Sequence, residues 1–160
     1  MKKLLLIVCL VVCSIGAKAQ FEQGKWIINP SLTGFELSHS EKDDMTLGLE
    51  VKAGTFLMDN VALLVDMGAK WAKGPDVFNL GVSGRYYFDQ IGIYTGAGLG
   101  LNHWKSGGWN HTDYSLNLEV GYAFFITKTV TIEPAAFCNV SFKDFDYTKY
   151  GLKVGFGFYF

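Results

Sequence analysis

Two histidines stand beside hydroxyl and acidic side chains, a combination that can carry out nucleophilic hydrolysis. The first group is Ser38, His39, Ser40 and Glu41, and the second is His111, Asp113 and Ser115. In such a reaction the histidine takes a proton from the serine while the acid orients the imidazole. Adjacent residues of an extended segment point in opposite directions, so neither spacing brings the three groups together. The sequence therefore indicates no catalytic residue and no enzyme.

The stretch from His103 to Asp113 combines aromatic, cationic and imidazole side chains. Its candidate binding residues are His103, Trp104, Lys105, Trp109 and His111. Aromatic surfaces with a few polar groups could contact a sugar, a peptide or a glycolipid, and the alternative is a plain hairpin tip. The two histidines supply two metal ligands where three or four are needed, so no metal site is predicted.

Eight charged residues fall on one face of segments that alternate between apolar and small or polar side chains. They are Glu50, Lys52, Asp66, Lys70, Arg85, Glu119, Glu133 and Lys153. The acidic and basic members are equal in number, so the group is formally neutral. Enclosed together, they could form a gated ion path or a polar plug that fixes strand register. Each needs a partner, because an unpaired buried ion costs several kcal/mol.

Strand pairing predicts which of these charges meet. Lys52 should lie opposite Asp66 on the neighbouring segment, with Arg85 diagonal to Asp66 on the segment after that. Glu119 and Lys153 should face each other across the seventh segment. Three tyrosines on the same face would obstruct the enclosed space: Tyr87, Tyr94 and Tyr159. A polar plug is therefore favoured over a channel, which needs more strands.

The elements that position these residues are eight strands. Alternation of apolar with small or polar side chains is typical of strands and not of helices. The predicted ranges are 25–37, 45–57, 61–71, 78–88, 91–101, 114–124, 130–142 and 150–160. Tight turns alternate with longer connections, as in an up-and-down meander whose last strand returns to the first. Pro30 predicts a bulge or irregular pairing in the first strand.

Glycine dominates the face that carries the charges, and aromatic residues of the apolar face gather at the strand ends. Glycine suits the crowded interior of an eight-stranded barrel. Two aromatic bands are typical of the two interfaces of a membrane barrel. One band is Tyr86, Phe88, Tyr122, Phe124, Phe158 and Phe160, and the other is Trp71, Phe78, Tyr114 and Phe142. The sequence predicts an all-β, eight-stranded antiparallel up-and-down transmembrane β-barrel with its glycine face inside.

The composition favours a surface that does not face water. Only 18% of the residues are charged, whereas a soluble domain carries roughly 25%. Residues 1–19 have the basic start, short apolar run and A-x-A exit of a signal peptide. Cleavage near Ala19 removes three lysines and lowers the formal net charge from −1 to −4, which argues against nucleic acid as a partner. A barrel domain of residues 20–160 remains.

The last strand carries a resemblance to a known family. Its apolar positions end in Phe156, Phe158 and Phe160. With Gly96-Ala97-Gly98-Leu99-Gly100 and Gly84-Arg85-Tyr86-Tyr87-Phe88, it resembles the small outer-membrane β-barrels that include the membrane domain of OmpA, the OmpX-type proteins and the porin-like barrels of Bacteroidetes. The resemblance covers essentially the whole mature chain. It implies that the terminal aromatic residues are an assembly signal for the barrel-assembly machinery.

The resemblance implies a location and a set of partners. We expect the chain in the cell outer membrane, as a monomer in contact with outer-membrane lipid and lipopolysaccharide, without a cofactor. The expected role is non-enzymatic, either structural in the envelope or binding through extracellular loops. A narrow solute or ion pore is the first alternative, and a lipid-A-modifying enzyme is the second.

Overall fold

The computed structural model describes residues 21–35, 47–71, 76–88, 91–106, 109–143 and 148–160. Within these ranges the chain forms nine β-strands. Their bounds are β1 (Trp26–Phe35), β2 (Leu47–Met58), β3 (Val61–Trp71), β4 (Asp76–Tyr87), β5 (Ile93–Ser106), β6 (Trp109–Tyr122), β7 (Phe124–Phe125), β8 (Val130–Ser141) and β9 (Lys149–Tyr159). Among the described residues, no helix has the length and apolar character needed to cross a membrane.

The strands form one closed antiparallel barrel. β1 to β6 pair in chain order, β8 pairs with β9, and β9 returns to β1. The two-residue β7 and β6 both pair with β8, so together they make the sixth of eight barrel strands. In the described part of the chain, pairing of β9 with β1 closes the seam between the last and the first strand, which is the condition for crossing hydrocarbon with strands. The predicted fold class is confirmed.

The two ends of the barrel differ in their connections. The turn end holds the tight connections after β2, β4 and β7, and also the start of β1 and the end of β9. Asn60 and Gly92 turn the chain there with positive φ angles of 67° and 77°, a region that asparagine and glycine tolerate best. The loop end holds connections that include residues 36–46, 72–75, 107–108 and 144–147, which lie outside the described ranges.

Side chains alternate between the lumen and the exterior, as the sequence pattern predicts. On β4, Arg85 and Tyr87 are buried, whereas Val82 and Tyr86 are exposed. The exterior is rich in large apolar side chains, among them Leu32, Leu49, Val65, Leu80, Leu99, Val120 and Val154. A polar interior inside an apolar exterior inverts the arrangement of a soluble barrel and suits lipid as the solvent.

Exterior aromatic residues lie at both ends of the barrel. Tyr86, Phe88 and Phe160 are exposed at the turn end, and Phe78, Tyr114 and Phe142 are exposed at the loop end. Tyr122, Phe124 and Phe158 are half-buried at the turn end, and the side chain of Trp71 lies outside the described part of the chain. Trp26, which is 60% exposed, also lies in the turn-end band, although the sequence pattern did not predict it there.

The hairpin of β5 and β6 is longer than predicted. Its ladder continues through Lys105↔Asn110 to Ser106↔Trp109, so the prediction of a loop from His103 to Asp113 is wrong. The apolar alternation ends earlier because a strand beyond the hydrocarbon layer needs no apolar face, while its backbone hydrogen bonds continue regardless of side chain.

Pro30 does not shift the register of β1. It pairs in register with Val51 of β2. The β1–β9 ladder shifts further along, between Leu32 and Phe35. On the β9 side, Asn29 and Pro30 form no ladder pair between Ile28↔Phe158 and Ser31↔Gly155. The predicted irregular pairing at Pro30 is therefore present on that side, whereas the register shift lies further along the strand. Proline removes a single backbone donor, and the pairing on either side of it keeps the strand in place.

Candidate functional site

The centre of the lumen is organised around Arg85 of β4, which is 1% exposed. Its Nε donates a 2.9 Å hydrogen bond to Oε1 of Glu119 on β6, and its Nη1 donates a 2.9 Å bond to Oε2 of Glu133 on β8. Its Cζ lies 4.1 Å from the ring centroid of Tyr94. Charge-assisted hydrogen bonds of this kind are the strong ones. The guanidinium thus joins three strands across the lumen.

Two lysines extend this centre toward the loop end. Nζ of Lys52 lies 3.0 Å from Glu119, 3.5 Å from Glu50 and 3.8 Å from Asp66. Nζ of Lys153 lies 2.8 Å from Glu119 and 3.4 Å from Glu50. Glu119 therefore contacts both ammonium groups as well as Arg85. The result is a single ion network in which Glu50, Glu119 and the three cations each contact more than one opposite charge.

The structure brings together seven of the eight charged residues singled out in the sequence. Six of the seven are buried and Glu50 is half-buried. Lys70 belongs to β3, but its side chain lies outside the described part of the chain.

The pairing of Lys52 with Asp66 across β2 and β3 is present as predicted. Arg85 is not diagonal to Asp66, because Asp66 pairs with Gly81 while Arg85 pairs with Ala62. That prediction placed β4 in the wrong register against β3.

The predicted contact of Glu119 with Lys153 is also present, at 2.8 Å. Ala135 of β8 lies directly opposite Lys153. Phe137, the ladder partner of Glu119 on β8, was overlooked in the sequence and is a buried lumen residue. Nζ of Lys153 lies 5.8 Å from its ring centroid, within the range of a cation–π contact.

The turn-end side of the network is closed by the three predicted tyrosines, all of them buried. Tyr159 Oη donates a 2.6 Å hydrogen bond to Oε1 of Glu133. Arg85 Nη1 donates to Tyr87 Oη at 3.0 Å, and the hydroxyls of Tyr87 and Tyr159 lie 3.3 Å apart. Aromatic rings thus fill the lumen while their hydroxyls face the charges.

Phe21 adds an aromatic side chain that the sequence did not single out. It is 4% exposed and stacks on Tyr87 with ring centroids 4.2 Å apart. It precedes β1 and belongs to no alternating segment, so periodicity gives no signal for it. The only hint in the sequence is a large aromatic residue shortly after the expected cleavage point.

On the loop-end side of the network, the lumen holds a cavity of about 50 Å³. Its polar lining includes the side chains of Asn79, Asn102, Asn117 and Asn139. Oδ2 of Asp66 and Oδ1 of Asn79 are buried there without a hydrogen-bond partner. A polar cavity of this size has room for a few water molecules, which would supply the missing donors.

The loop-end binding candidates are only partly described. His103 is exposed and hydrogen-bonds through Nδ1 to Thr112 Oγ1 at 3.2 Å. The other four candidates belong to β5 or β6, but their side chains lie outside the described part of the chain: Trp104, Lys105, Trp109 and His111.

The acidic and hydroxyl side chains near His111 lie in the lumen and hydrogen-bond to other lumen residues. Asp113 accepts a 2.6 Å hydrogen bond from Ser141, and Ser115 donates to Asn117 at 3.0 Å. The group of residues 38–41, around His39, lies outside the described ranges. Among the described residues, no set of three or more His, Cys, Asp or Glu side chains could hold a metal ion.

The candidate assembly signal lies on the exterior of the barrel seam. Phe156 and Phe160 are exposed and Phe158 is half-buried. Phe160 and Trp26 exchange backbone hydrogen bonds, 3.0 Å from Phe160 N to Trp26 O and 3.1 Å in return. The last residue is therefore held against the first strand at the turn end.

Comparisons with known proteins support the architecture. No family model and no curated protein sequence matches the chain. Among solved structures, it is similar to the N-terminal β-barrel domain of Pseudomonas aeruginosa OprF, with 17% identity, 86% of this chain and 98% of that chain covered, and a TM-score of 0.67. It is equally similar to neisserial surface protein A, with 19% identity, coverages of 86% and 97%, and a TM-score of 0.67. A de novo designed transmembrane β-barrel aligns with 10% identity, coverages of 88% and 99%, and a TM-score of 0.55. The chain has the fold of small outer-membrane barrels.

Proposed function

We propose that the protein is a non-enzymatic outer-membrane barrel whose lumen is a closed structural core. Its role is to support the envelope or to bind a partner at its loop end. It is targeted by a signal peptide cleaved near Ala19 and resides in the cell outer membrane as a monomer. The turn end faces the periplasm and the loop end faces outward.

One observation carries the proposal: the ion network and the tyrosines fill the middle of the lumen. Arg85 reaches Glu119 and Glu133 on the far strands at 2.8 and 2.9 Å. A solute passing between these groups would have to break buried ion pairs, and each separated pair leaves uncompensated charge in a narrow interior. An eight-stranded barrel has room for little more than its own side chains.

The exterior supports the membrane location. Large apolar side chains are exposed along the strands, including Leu99 at 63% and Val120 at 57%. Such a continuous apolar surface would aggregate in water. Exposed aromatic residues at both ends suit the two interfaces of a bilayer. The partners expected on this surface are outer-membrane lipid and lipopolysaccharide.

Assembly of such a barrel needs recognition of its last strand. Phe156 and Phe158 lie on the exterior face of β9 and Phe160 directly follows the strand, where another protein could contact them before the barrel closes. The resemblance to outer-membrane barrels supports the barrel-assembly machinery as that partner.

Planar bilayers test the closed lumen directly. The purified full-length mature protein should show no ion conductance, while a porin of about 16 strands measured in parallel shows that the assay detects an open channel. Steady conductance by the wild-type protein would overturn the proposal in favour of a narrow pore. Membrane location is checked separately on the membrane fraction of cells, where the folded barrel should migrate differently on gels before and after boiling.

A further inference from the structure

Residues 21–25, here called the strap, cross the turn end of the barrel before β1 begins. Phe21 O accepts a 2.7 Å hydrogen bond from Asn60 N, and Gly24 N donates a 2.9 Å bond to Phe56 O. Asn60 lies in the turn between β2 and β3, and Phe56 lies in β2. The strap is therefore attached at both ends to one hairpin.

Gln23 strengthens this attachment on the outer side. Its backbone N donates to Oδ1 of Asp59 and its Nε2 donates to Leu57 O, both at 2.9 Å. Gly24 follows with a φ of 85° and no atom within 4 Å of the position that a Cβ would take. A glycine in this conformation gives the strap a point where the chain changes direction at no steric cost.

Phe21 is the part of the strap that enters the barrel. It is 4% exposed, whereas Glu22, Gln23 and Gly24 are exposed. Its ring is surrounded by four aromatic side chains, with centroids 4.2 Å from Tyr87, 5.6 Å from Phe125, 5.7 Å from Tyr159 and 5.9 Å from Phe56. These side chains form an aromatic pocket that takes a planar apolar group.

The pocket lies directly beside the ion network. Tyr87 and Tyr159, which contact the Phe21 ring, also hydrogen-bond to Arg85 and Glu133. Water reaching these hydroxyls from the turn end would compete for the same bonds. Phe21 covers them on that side.

From this arrangement we propose that the strap is an intramolecular seal, with Phe21 as the ligand of the aromatic pocket. The inference rests on the proposed closed lumen and adds which residue closes its turn end. The seal is separable from the barrel wall, because residues 21–24 take no part in the strand ladder. Apart from the bond of Lys25 N to Glu22 O within the strap, their hydrogen bonds run to the β2–β3 hairpin. The strap can leave the pocket by rotation at Gly24 while every strand stays paired.

Thiol accessibility inside the barrel tests the seal. Ala62 is 1% exposed, belongs to the same apolar cluster as Phe21, and lies opposite Phe56. In the mature protein, which lacks residues 1–19 and with them Cys9 and Cys13, an Ala62→Cys variant in a Cys138→Ser background places a single thiol behind the seal. With Phe21 present, a membrane-impermeant thiol reagent should label the folded protein slowly. Phe21→Ala should raise the labelling rate by about tenfold or more, because the reagent can then reach the thiol without a local opening of the strap.

Trp26→Ala is the matched control. It removes a large aromatic side chain from the same end of the barrel, but one that is 60% exposed on the exterior. The labelling rate should stay at the value measured with Phe21 and Trp26 both present. Fast labelling with Phe21 intact, or an unchanged slow rate in Phe21→Ala, would overturn the seal.

A milder variant keeps the test decisive if Phe21→Ala does not fold. Asp59→Ala removes the exposed acceptor that holds Gln23 and leaves every lumen residue in place. It should raise the labelling rate roughly two- to twelvefold, the scale of one net hydrogen bond. Conductance remains a separate readout. Phe21→Ala retains the Arg85 network and should therefore show no ion conductance in planar bilayers. A failed seal and a failed closed lumen are therefore distinguished.

Discussion

The guanidinium of Arg85 lies 2.8 Å from the carboxylate of Glu119, across the lumen from β4 to β6. The same carboxylate lies 3.0 Å from Lys52 and 2.8 Å from Lys153. Three cations therefore converge on one acidic side chain, and Glu119 is the residue on which the charge balance of the lumen depends. Breaking a buried pair from one side leaves the other charge uncompensated.

Glu119→Gln should be strongly destabilising. The substitution keeps the shape of the side chain but removes the negative charge shared by three cations, so the free energy of unfolding should fall by about 3–5 kcal/mol. Urea unfolding of the protein in lipid vesicles measures the change. Glu22→Gln, at an exposed position of the strap, should leave the stability within about 0.5 kcal/mol of wild type. Equal effects of the two substitutions would contradict the central role of Glu119.

Tyr159→Phe removes a hydroxyl that donates to Glu133 and lies 3.3 Å from the hydroxyl of Tyr87. The hydroxyl donates to Glu133 at 2.6 Å, and a hydrogen bond to a charged group contributes about 1.5–3 kcal/mol. The free energy of unfolding should fall by that amount, while the aromatic packing at the turn end is retained. Tyr114→Phe removes a hydroxyl from a residue that is 64% exposed on the exterior, and should have almost no effect. A neutral Tyr159→Phe would show that water replaces the bond.

Much of this architecture could be predicted from alternation alone. The bounds of β3, Val61–Trp71, are those predicted, because both flanking turns interrupt a strictly alternating segment. The lumen face could be recognised because glycine and charge share it. The contact of Glu119 with Lys153 could be predicted, because a single strand separates them. The contact of Arg85 with Glu133 could not, because these side chains meet through strand tilt and side-chain length and not through a shared ladder.

The predictions that were wrong or missing also have physical causes. Ladder hydrogen bonds extend β5 and β6 to Ser106 and Trp109, where the side-chain pattern carries no apolar signal. Phe21 lies outside any strand, so its burial depends on a pocket made by residues from four separate strands. Periodicity describes which face of a strand is buried, and it says nothing of a segment that folds across the end of a barrel.

Gly157→Ala should disrupt the lumen near Glu133. A Cβ at this position would overlap the carboxylate of Glu133 and the hydroxyl of Thr131, and would lie 2.8 Å from the Tyr159 ring. Overpacking of this kind typically costs about 1–3 kcal/mol, so the urea midpoint should fall. Gly84→Ala is the matched control, because a Cβ there meets only the Ala97 carbonyl oxygen at 4.0 Å. It should be neutral or slightly stabilising, since alanine reduces the freedom of the unfolded chain. A tolerated Gly157→Ala would mean that Glu133 can move without loss.

Phe160→Ala tests the expected assembly signal separately from stability. Phe160 is 65% exposed on the exterior and its backbone bonds to Trp26 do not involve the ring. The purified variant should therefore refold in detergent with a free energy of unfolding within about 1 kcal/mol of wild type, as expected of an exposed side chain. In cells, the amount of folded, heat-modifiable barrel in the outer-membrane fraction should drop sharply, because the assembly machinery no longer recognises the last strand. Phe142→Ala removes a ring that is 63% exposed at the loop end and should not reduce that amount. If both variants assemble equally well, the terminal aromatic residue serves the membrane interface and not assembly.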